Sequence, residues 1–304
     1  MKVVVTGGAG FIGSHLVDAL IENGEEVVVI DNLSSGKKEN VNEKAKFYEV
    51  DLLDDKLYEI FEKENPEIVF HLAAQVNIRK SVSDVIFDAN NNIIASLKLL
   101  ELSRKFNVKK FIFSSSGGAI YGDAEEIPTS ENYDKNPESP YGCAKLAIEK
   151  YLNFYFKNYG LNYSCLRYSN VYGKRQDPNG EVGVIAVFFR DMINGKNPVI
   201  FGDGSKTRDF VYVEDVVNAN LLAMNDERNT AYNVGTGKET SILEIFNKIN
   251  SLFDNKFKAI FEDDKKGEQL RSFLNIRKIK NNLSWVPEVS LDEGLKRVFE
   301  WHES

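Results

Sequence analysis

The sequence predicts an α/β fold, a doubly wound parallel sheet with a smaller C-terminal region. Three observations carry that prediction. Short β-branched runs alternate with helix-period stretches from Val3 onward. Those runs are apolar on both faces, as strands covered by helices on two sides must be. After Arg167 the alternation gives way to a Gly/Asn/Asp-rich stretch, GKRQDPNGEVG.

The strand-like runs are Val3–Val5, Val27–Ile30, Phe47–Val50, Ile68–Leu72 and Phe111–Phe113. Amphipathic stretches separate them, among them His15–Glu22, Lys56–Glu64 and Ile93–Phe106, with apolar residues recurring at the helical period. Further helical patterns fall at Val184–Ile193, Val213–Met224 and Ser241–Leu252. The expected organisation is a dinucleotide-type domain over residues 1–168, rejoined by elements near 210–235, and a smaller interleaved domain over 169–304.

Composition bounds the function. The chain has 304 residues, 42% hydrophobic and 28% charged, enough to bury a large core. Net charge is −8 and no dense Lys/Arg block occurs, so neither a nucleic acid nor a membrane surface is an expected partner. No apolar run approaches membrane-spanning length. The start, MKVVVTGG, reads as a strand entering a turn and not as a secretion signal. Two cysteines, Cys143 and Cys165, and three histidines, His15, His71 and His302, lack metal-ligand spacing, so no metal is expected. A reduced, cytoplasmic setting fits this usage.

The first strand runs into VVVTGGAGFIGSHLVDAL, which places Gly7, Gly10 and Gly13 between strand and helix. Small residues there let the turn close, let backbone N–H groups approach a pyrophosphate, and let helix and strand pack closely. No Gly-Lys-Ser/Thr follows, which excludes a Walker nucleotide loop. Asp31 closes the next strand, roughly 20 residues on, where a carboxylate accepts hydrogen bonds from a ribose diol and repels a 2′-phosphate. NAD is therefore expected over NADP. Asp51 and Leu52 end the third strand, placed to flank an adenine.

Further along, SPYGCAK contains Tyr141 and Lys145, spaced to share one face of a helix. A phenol is a poor base near neutral pH. An adjacent ammonium, with a positive nicotinamide ring, favours the phenolate, and Tyr141 can then take a proton from a substrate hydroxyl. Ser116, in FIFSSSGGAIYG, is the hydroxyl expected beside the same oxygen, with Ser115 as the alternative.

In order along the chain, TGGAGFIGSHL, DNLSSG, HLAA, SSSGGAIYG, YGCAK, LRYSNVYG and RDFVYVEDV resemble the extended short-chain dehydrogenase/reductases. Within that superfamily the chain most resembles NAD-dependent UDP-glucose 4-epimerases. The resemblance implies a Rossmann-type domain holding NAD through Gly7, Gly10, Phe11, Ile12, Gly13, Asp31, Asn32, Ser35, Gly36, Asp51, Leu52, Leu72, Ala73, Ala74, Tyr141, Lys145 and either Asn91 or Asn92. It assigns catalysis to Ser116, Tyr141 and Lys145. It implies a UDP-sugar substrate held by Ser116, Tyr141, Asn170, Arg208 and, where relatives carry an arginine, Lys265 or else Arg271.

The implied reaction is cyclic. Tyr141 takes the O4 proton, hydride leaves C4 for NAD, the 4-keto sugar turns over, and hydride returns to its other face. Related dehydratases and decarboxylases carry an acid between the serines and Tyr-Gly, where this chain has Gly117, Gly118, Ala119 and Ile120. A 4,6-dehydratase, a UDP-glucuronate 4-epimerase and a non-catalytic NAD-binding scaffold are the alternatives. Ser272 stands roughly where some relatives crowd the sugar C2 substituent with a tyrosine, which leaves room for an N-acetyl group. Apolar residues on more than one face of Ile93–Phe106 and Ala144–Tyr155 suit the family's four-helix homodimer.

Overall fold

In a computed structural model, described over residues 1–178, 183–264 and 269–303, the first half alternates strand and helix as expected. The elements are β1 (Lys2–Thr6), α1 (Phe11–Glu22), β2 (Glu26–Asp31), β3 (Lys46–Glu49), α2 (Lys56–Glu64), β4 (Ile68–His71), α3 (Ile78–Ser83), α4 (Val85–Ala89), a π-helical turn (Asn90–Ile94), α5 (Ala95–Lys105), β5 (Lys110–Ser116), α6 (Pro140–Tyr159) and β6 (Asn162–Tyr168). The second half contains β7 (Asn170–Tyr172), α7 (Val184–Ile193), β8 (Val199–Phe201), β9 (Thr207–Arg208), β10 (Phe210–Tyr212), α8 (Val213–Ala223), β11 (Thr230–Val234), β12 (Thr240–Ser241), α9 (Ile242–Leu252), β13 (Ile260–Glu262), β14 (Arg271–Ser272), α10 (Arg277–Leu283) and α11 (Leu291–Glu303).

Seven strands form one sheet in the order β11-β6-β5-β4-β1-β2-β3, every neighbouring pair parallel. Alternate side chains of β1 feed opposite cores, as the period of a strand dictates. Val3 and Val5 pack with Leu16, Val17, Val216 and Trp285 on one face. Val4 packs with Phe61, Leu99, Ile148 and Leu152 on the other. The valine run that opens the chain is thus buried twice over.

The late elements rejoin this domain only in part. β11 enters the sheet beside β6, and Val216, Val217 and Ala219 of α8 join the core on the α1 face. Phe210–Tyr212 instead pairs with β7 in a separate two-stranded sheet. Ile279 of α10 and Trp285 also bury into the first core, so the chain's end clamps the domain its beginning builds. A second core gathers Phe188, Phe189, Phe210, Tyr212, Ile245, Phe246 and Leu295 around α7, α9 and α11.

The strand order reverses between β1 and β4. In an open parallel sheet that reversal leaves a crevice beyond the carboxyl ends of the two strands, the usual place for a ligand. No helix among the described residues is long and apolar enough to cross a membrane.

Candidate active site

A cavity of about 740 Å³ lies at this reversal, lined by Gly7, Gly10, Phe11, Ile12 and Gly13 of the first turn, by Leu72, Ala73 and Ala74 after β4, and by Ser116, Tyr141 and Lys145. Asp31, Asn32, Ser35, Asp51, Leu52 and Asn91 complete the set predicted from the sequence. Gly36 is the exception and lines no part of it. A Cβ there would stand 2.9 Å from Ala9 Cβ, and the next residue, Lys37, donates its N–H to Ala9 O. Gly36 is small so that two backbones can meet, which the motif alone does not distinguish from ligand contact.

The turn fits a dinucleotide pyrophosphate. A Cβ on Gly13 would fall 2.1 Å from Gly7 O, and Gly7 adopts φ +72°, a region that favours glycine. No side chain caps the N-terminus of α1, so its first-turn N–H groups and the positive end of the helix dipole face the cavity. Asp31 accepts from Ala9 N at 3.0 Å and Leu33 N at 2.8 Å, one bond on each oxygen. A carboxylate offers about four acceptor positions, so capacity remains for a ribose diol. Burial raises its pKa against the opposing pull of those two bonds.

Helix α6 sets the Tyr141–Lys145 pair. Ser139 caps it by accepting from Gly142 N, with Pro140 at the first position, a pairing that suits a helix start. The Tyr141 N–H donates to Ser81 Oγ at 2.8 Å, which fixes the first turn against α3. One turn on, the Lys145 ammonium lies 5.5 Å from the Tyr141 ring centroid and 4.8 Å from that of Phe113, and donates to Ser114 O at 2.7 Å. Burial pulls Lys145 down to about 8, so near pH 7 it is still predominantly charged.

The serines separate by strand alternation. Ser115 is buried, and its hydroxyl donates to Glu149 Oε1 at 2.6 Å, inside a cluster where Arg167 grips both Glu149 oxygens. Both serines line the cavity, Ser116 as the half-buried one. The neighbouring asparagines separate as well. Asn91 lines the cavity, while buried Asn92 donates to Gln75 O and Asp88 and accepts from Gln75 N.

Of the predicted substrate residues, Ser116 and Tyr141 line this cavity, and Asn170, Arg208 and Arg271 lie apart from it. Asn170 begins β7 and donates its N–H to Asp209 O. Arg208 lies on β9, in register with Ser272 of β14. Arg271 is held by Glu239 through bonds of 2.6 and 2.7 Å. Lys265 lies outside the described residues. Sequence reading missed Gln75, Asn77, Lys80, Arg175 and Gln176, which line the cavity. The first three lie within six residues after HLAA, a usable signal. Arg175 reaches the cavity from beyond the sheet, tied to Asp18 of α1 at 2.8 Å. Among the described residues no cluster of His, Cys, Asp and Glu could hold a metal ion.

A phosphate-binding turn at a sheet reversal, with Tyr141, Lys145 and Ser116 beside it, defines an α/β dinucleotide-dependent enzyme that moves hydride and proton together. Comparison narrows the class. Residues 3–235 match the model of the NAD dependent epimerase/dehydratase family, and the chain belongs to that family. It is 42% identical to the UDP-glucose 4-epimerase of Mycolicibacterium smegmatis, over 99% of this chain and 98% of that one. The UDP-glucose 4-epimerase of Thermotoga maritima, solved with UDP-glucose, superposes with a TM-score of 0.98 at 51% identity, covering 100% of this chain and 99% of that one. The UDP-N-acetylglucosamine 4-epimerase of Methanobrevibacter ruminantium superposes with a TM-score of 0.95 at 40% identity, covering 99% and 98%. The chain is an isomerase, an NAD-dependent epimerase of UDP-sugars.

Proposed function

We propose that this protein inverts C4 of a UDP-hexose, acting on UDP-glucose and UDP-galactose and also on their N-acetylated counterparts. The observation that carries the reading is the convergence of Tyr141, Lys145 and Ser116 on one cavity with the phosphate turn, with no carboxylate at residues 117–120 to serve water loss. NAD, when bound, supplies an acceptor that takes up hydride and gives it back. Tyr141 removes the proton of the 4-hydroxyl and later returns it. The Lys145 charge steadies the phenolate, and Ser116 holds the reacting oxygen by donating and accepting in turn.

On the sugar-nucleotide side, Asn170 and Arg208 hold the diphosphate and sugar, and Arg271 exchanges Glu239 for phosphate oxygens, which its planar fork matches. Ser272, paired to Arg208, leaves room for an N-acetyl group. Val85, Ile86, Ile94, Tyr151 and Phe154, exposed along α4, the π-helical turn and α6, are the face we assign to a homodimer.

The test uses the purified protein and UDP-galactose with no NAD added. Formation of UDP-glucose supports the reading, a 4-keto-6-deoxy sugar turns it into a dehydratase, and inert protein overturns it. Comparison of kcat/KM for the two substrate pairs decides the N-acetyl assignment, and negligible turnover of the N-acetyl pair removes it.

A further inference from the structure

His71 stands at the end of β4, 1% exposed, packed against the rings of Phe111 and Phe113, and no step above uses it. Both of its ring nitrogens are bonded. Nδ1 lies 2.8 Å from Thr6 Oγ1 and Nε2 lies 2.8 Å from Ser96 Oγ. The direction of each bond follows from its neighbours. Ser96 gives its single hydroxyl proton to Asn92 O at 2.6 Å, so toward His71 it can only accept, and Nε2 must carry a hydrogen. Burial, helped by the nearby Lys145 charge, pulls His71 down to about 3, so the ring is neutral and Nδ1 is a bare acceptor. Thr6 therefore donates to Nδ1, and one of its two lone pairs receives Ala73 N–H at 3.3 Å.

The result is one polarised chain from Ala73 through Thr6, His71 and Ser96 to Asn92. It joins three of the segments that wall the cavity. Thr6 immediately precedes Gly7 of the phosphate turn, and the backbones of Gly7 and Ala73 already touch, since a Cβ on Gly7 would lie 2.6 Å from Ala73 N. Asn92 belongs to the π-helical turn that puts Asn91 at the cavity, and it is bonded in turn to Gln75. π-Helical turns inside longer helices commonly mark functional sites, and here a buried imidazole braces one.

We propose that His71 is a positioning residue of the dinucleotide site: a neutral, single-tautomer spacer that sets the distance between the phosphate turn, the Ala73–Gln75 segment and the turn bearing Asn91. The proposal rests on reading the cavity as the NAD site. Two substitutions each cut half of the chain. In His71→Gln the amide nitrogen can still reach Ser96 while the acceptor for Thr6 is lost. In His71→Asn the amide oxygen can still accept from Thr6 while the donor to Ser96 is lost.

The experiment measures how fast bound NAD exchanges with added radiolabelled NAD, on holoenzyme, at a temperature where all variants are folded. Phe61→Leu, a core change on the opposite side of the sheet from α1, is the control for lost stability. Both His71 variants should speed exchange about tenfold, the scale of one buried hydrogen bond, while the control exchanges like the wild type. Exchange within twofold of wild type in both His71 variants, or faster exchange in Phe61→Leu to the same degree, overturns the proposal. Imidazole nitrogen NMR of the wild type adds a check independent of any variant: a hydrogen on Nε2 supports the chain, and one on Nδ1 overturns it. A wild-type chain that neither retains nor takes up NAD defeats the reading of the cavity itself, and the positioning role with it, a result distinct from altered exchange.

Discussion

Asp31 and Asp209 are both buried carboxylates that accept backbone N–H bonds, yet they serve the two halves of the molecule in different ways. Asp31 ends a strand of the seven-stranded sheet, accepts two such bonds and keeps an edge on the cavity. Asp209 is 1% exposed and accepts from Thr236 N, Thr236 Oγ1, Gly237 N and Leu274 N. Gly235 beside it has no room for a side chain, because a Cβ would stand 2.5 Å from Asp209 Oδ2. In the first half a continuous sheet places the ligand groups, and Asp31 is free to be one of them. In the second half β9, β12 and β14 are two residues each, too short to hold a surface together, and Asp209 is spent on tying three segments into one. The seven-stranded sheet should therefore tolerate loss of order around β9, β12 and β14.

Perturbing each half tests that separation, beginning with the largest effect. Tyr141→Phe should lower kcat by about 10²–10⁴ and leave bound NAD in place, read by turnover and by the dinucleotide released on denaturation; loss of both together would give the Tyr141 hydroxyl a part in holding NAD and not in proton transfer alone. Asp209→Asn should raise KM for the UDP-sugar about tenfold or more and lower Tm, because bonds to a buried charge contribute about 1.5–3 kcal/mol each, with NAD content unchanged. An unchanged KM would mean that the short strands do not depend on this carboxylate.

A smaller effect follows from pH. Burial has drawn Lys145 down to about 8, so its charge is present below that value and is lost as pH rises through it. kcat/KM should decline above about pH 8, and Lys145→Arg, which keeps its charge, should flatten the decline at a lower overall rate. A wild-type profile level to pH 9.5 would contradict it. The smallest effect concerns Glu239→Gln, which frees an exposed Arg271 from an ion pair of about 0–1 kcal/mol. KM should fall about two- to threefold if Arg271 holds phosphate, and an unchanged KM removes Arg271 from the site.

Legibility in the sequence follows the same division. Gly7, Gly10, Gly13, Asp31, Tyr141 and Lys145 could be placed because each belongs to one strand–turn–helix unit whose geometry is local. Ser115 and Ser116 could not be told apart by spacing, since the choice depends on which face of β5 meets Glu149 and Arg167. Asn91 and Asn92 resisted for a related reason: a π-helical turn shifts the helical period, and no local signal announces it. At Gly36 a close backbone approach and a phosphate contact select the same residue, so the motif does not separate the two.

Local chemistry by itself determined the alternation of strand and helix, the glycine turn, an acid at the end of β2, and a phenol paired with an ammonium, because each is written within a few residues. Only the tertiary structure decided that the strand order reverses between β1 and β4 with a cavity beyond their ends, that His71 braces its walls, that β11, α10 and Trp285 return to the first domain, and that Asp209 ties three segments of the second half together. Those features depend on burial, which removes water as a competing partner and leaves each polar group only the neighbours that the fold brings to it.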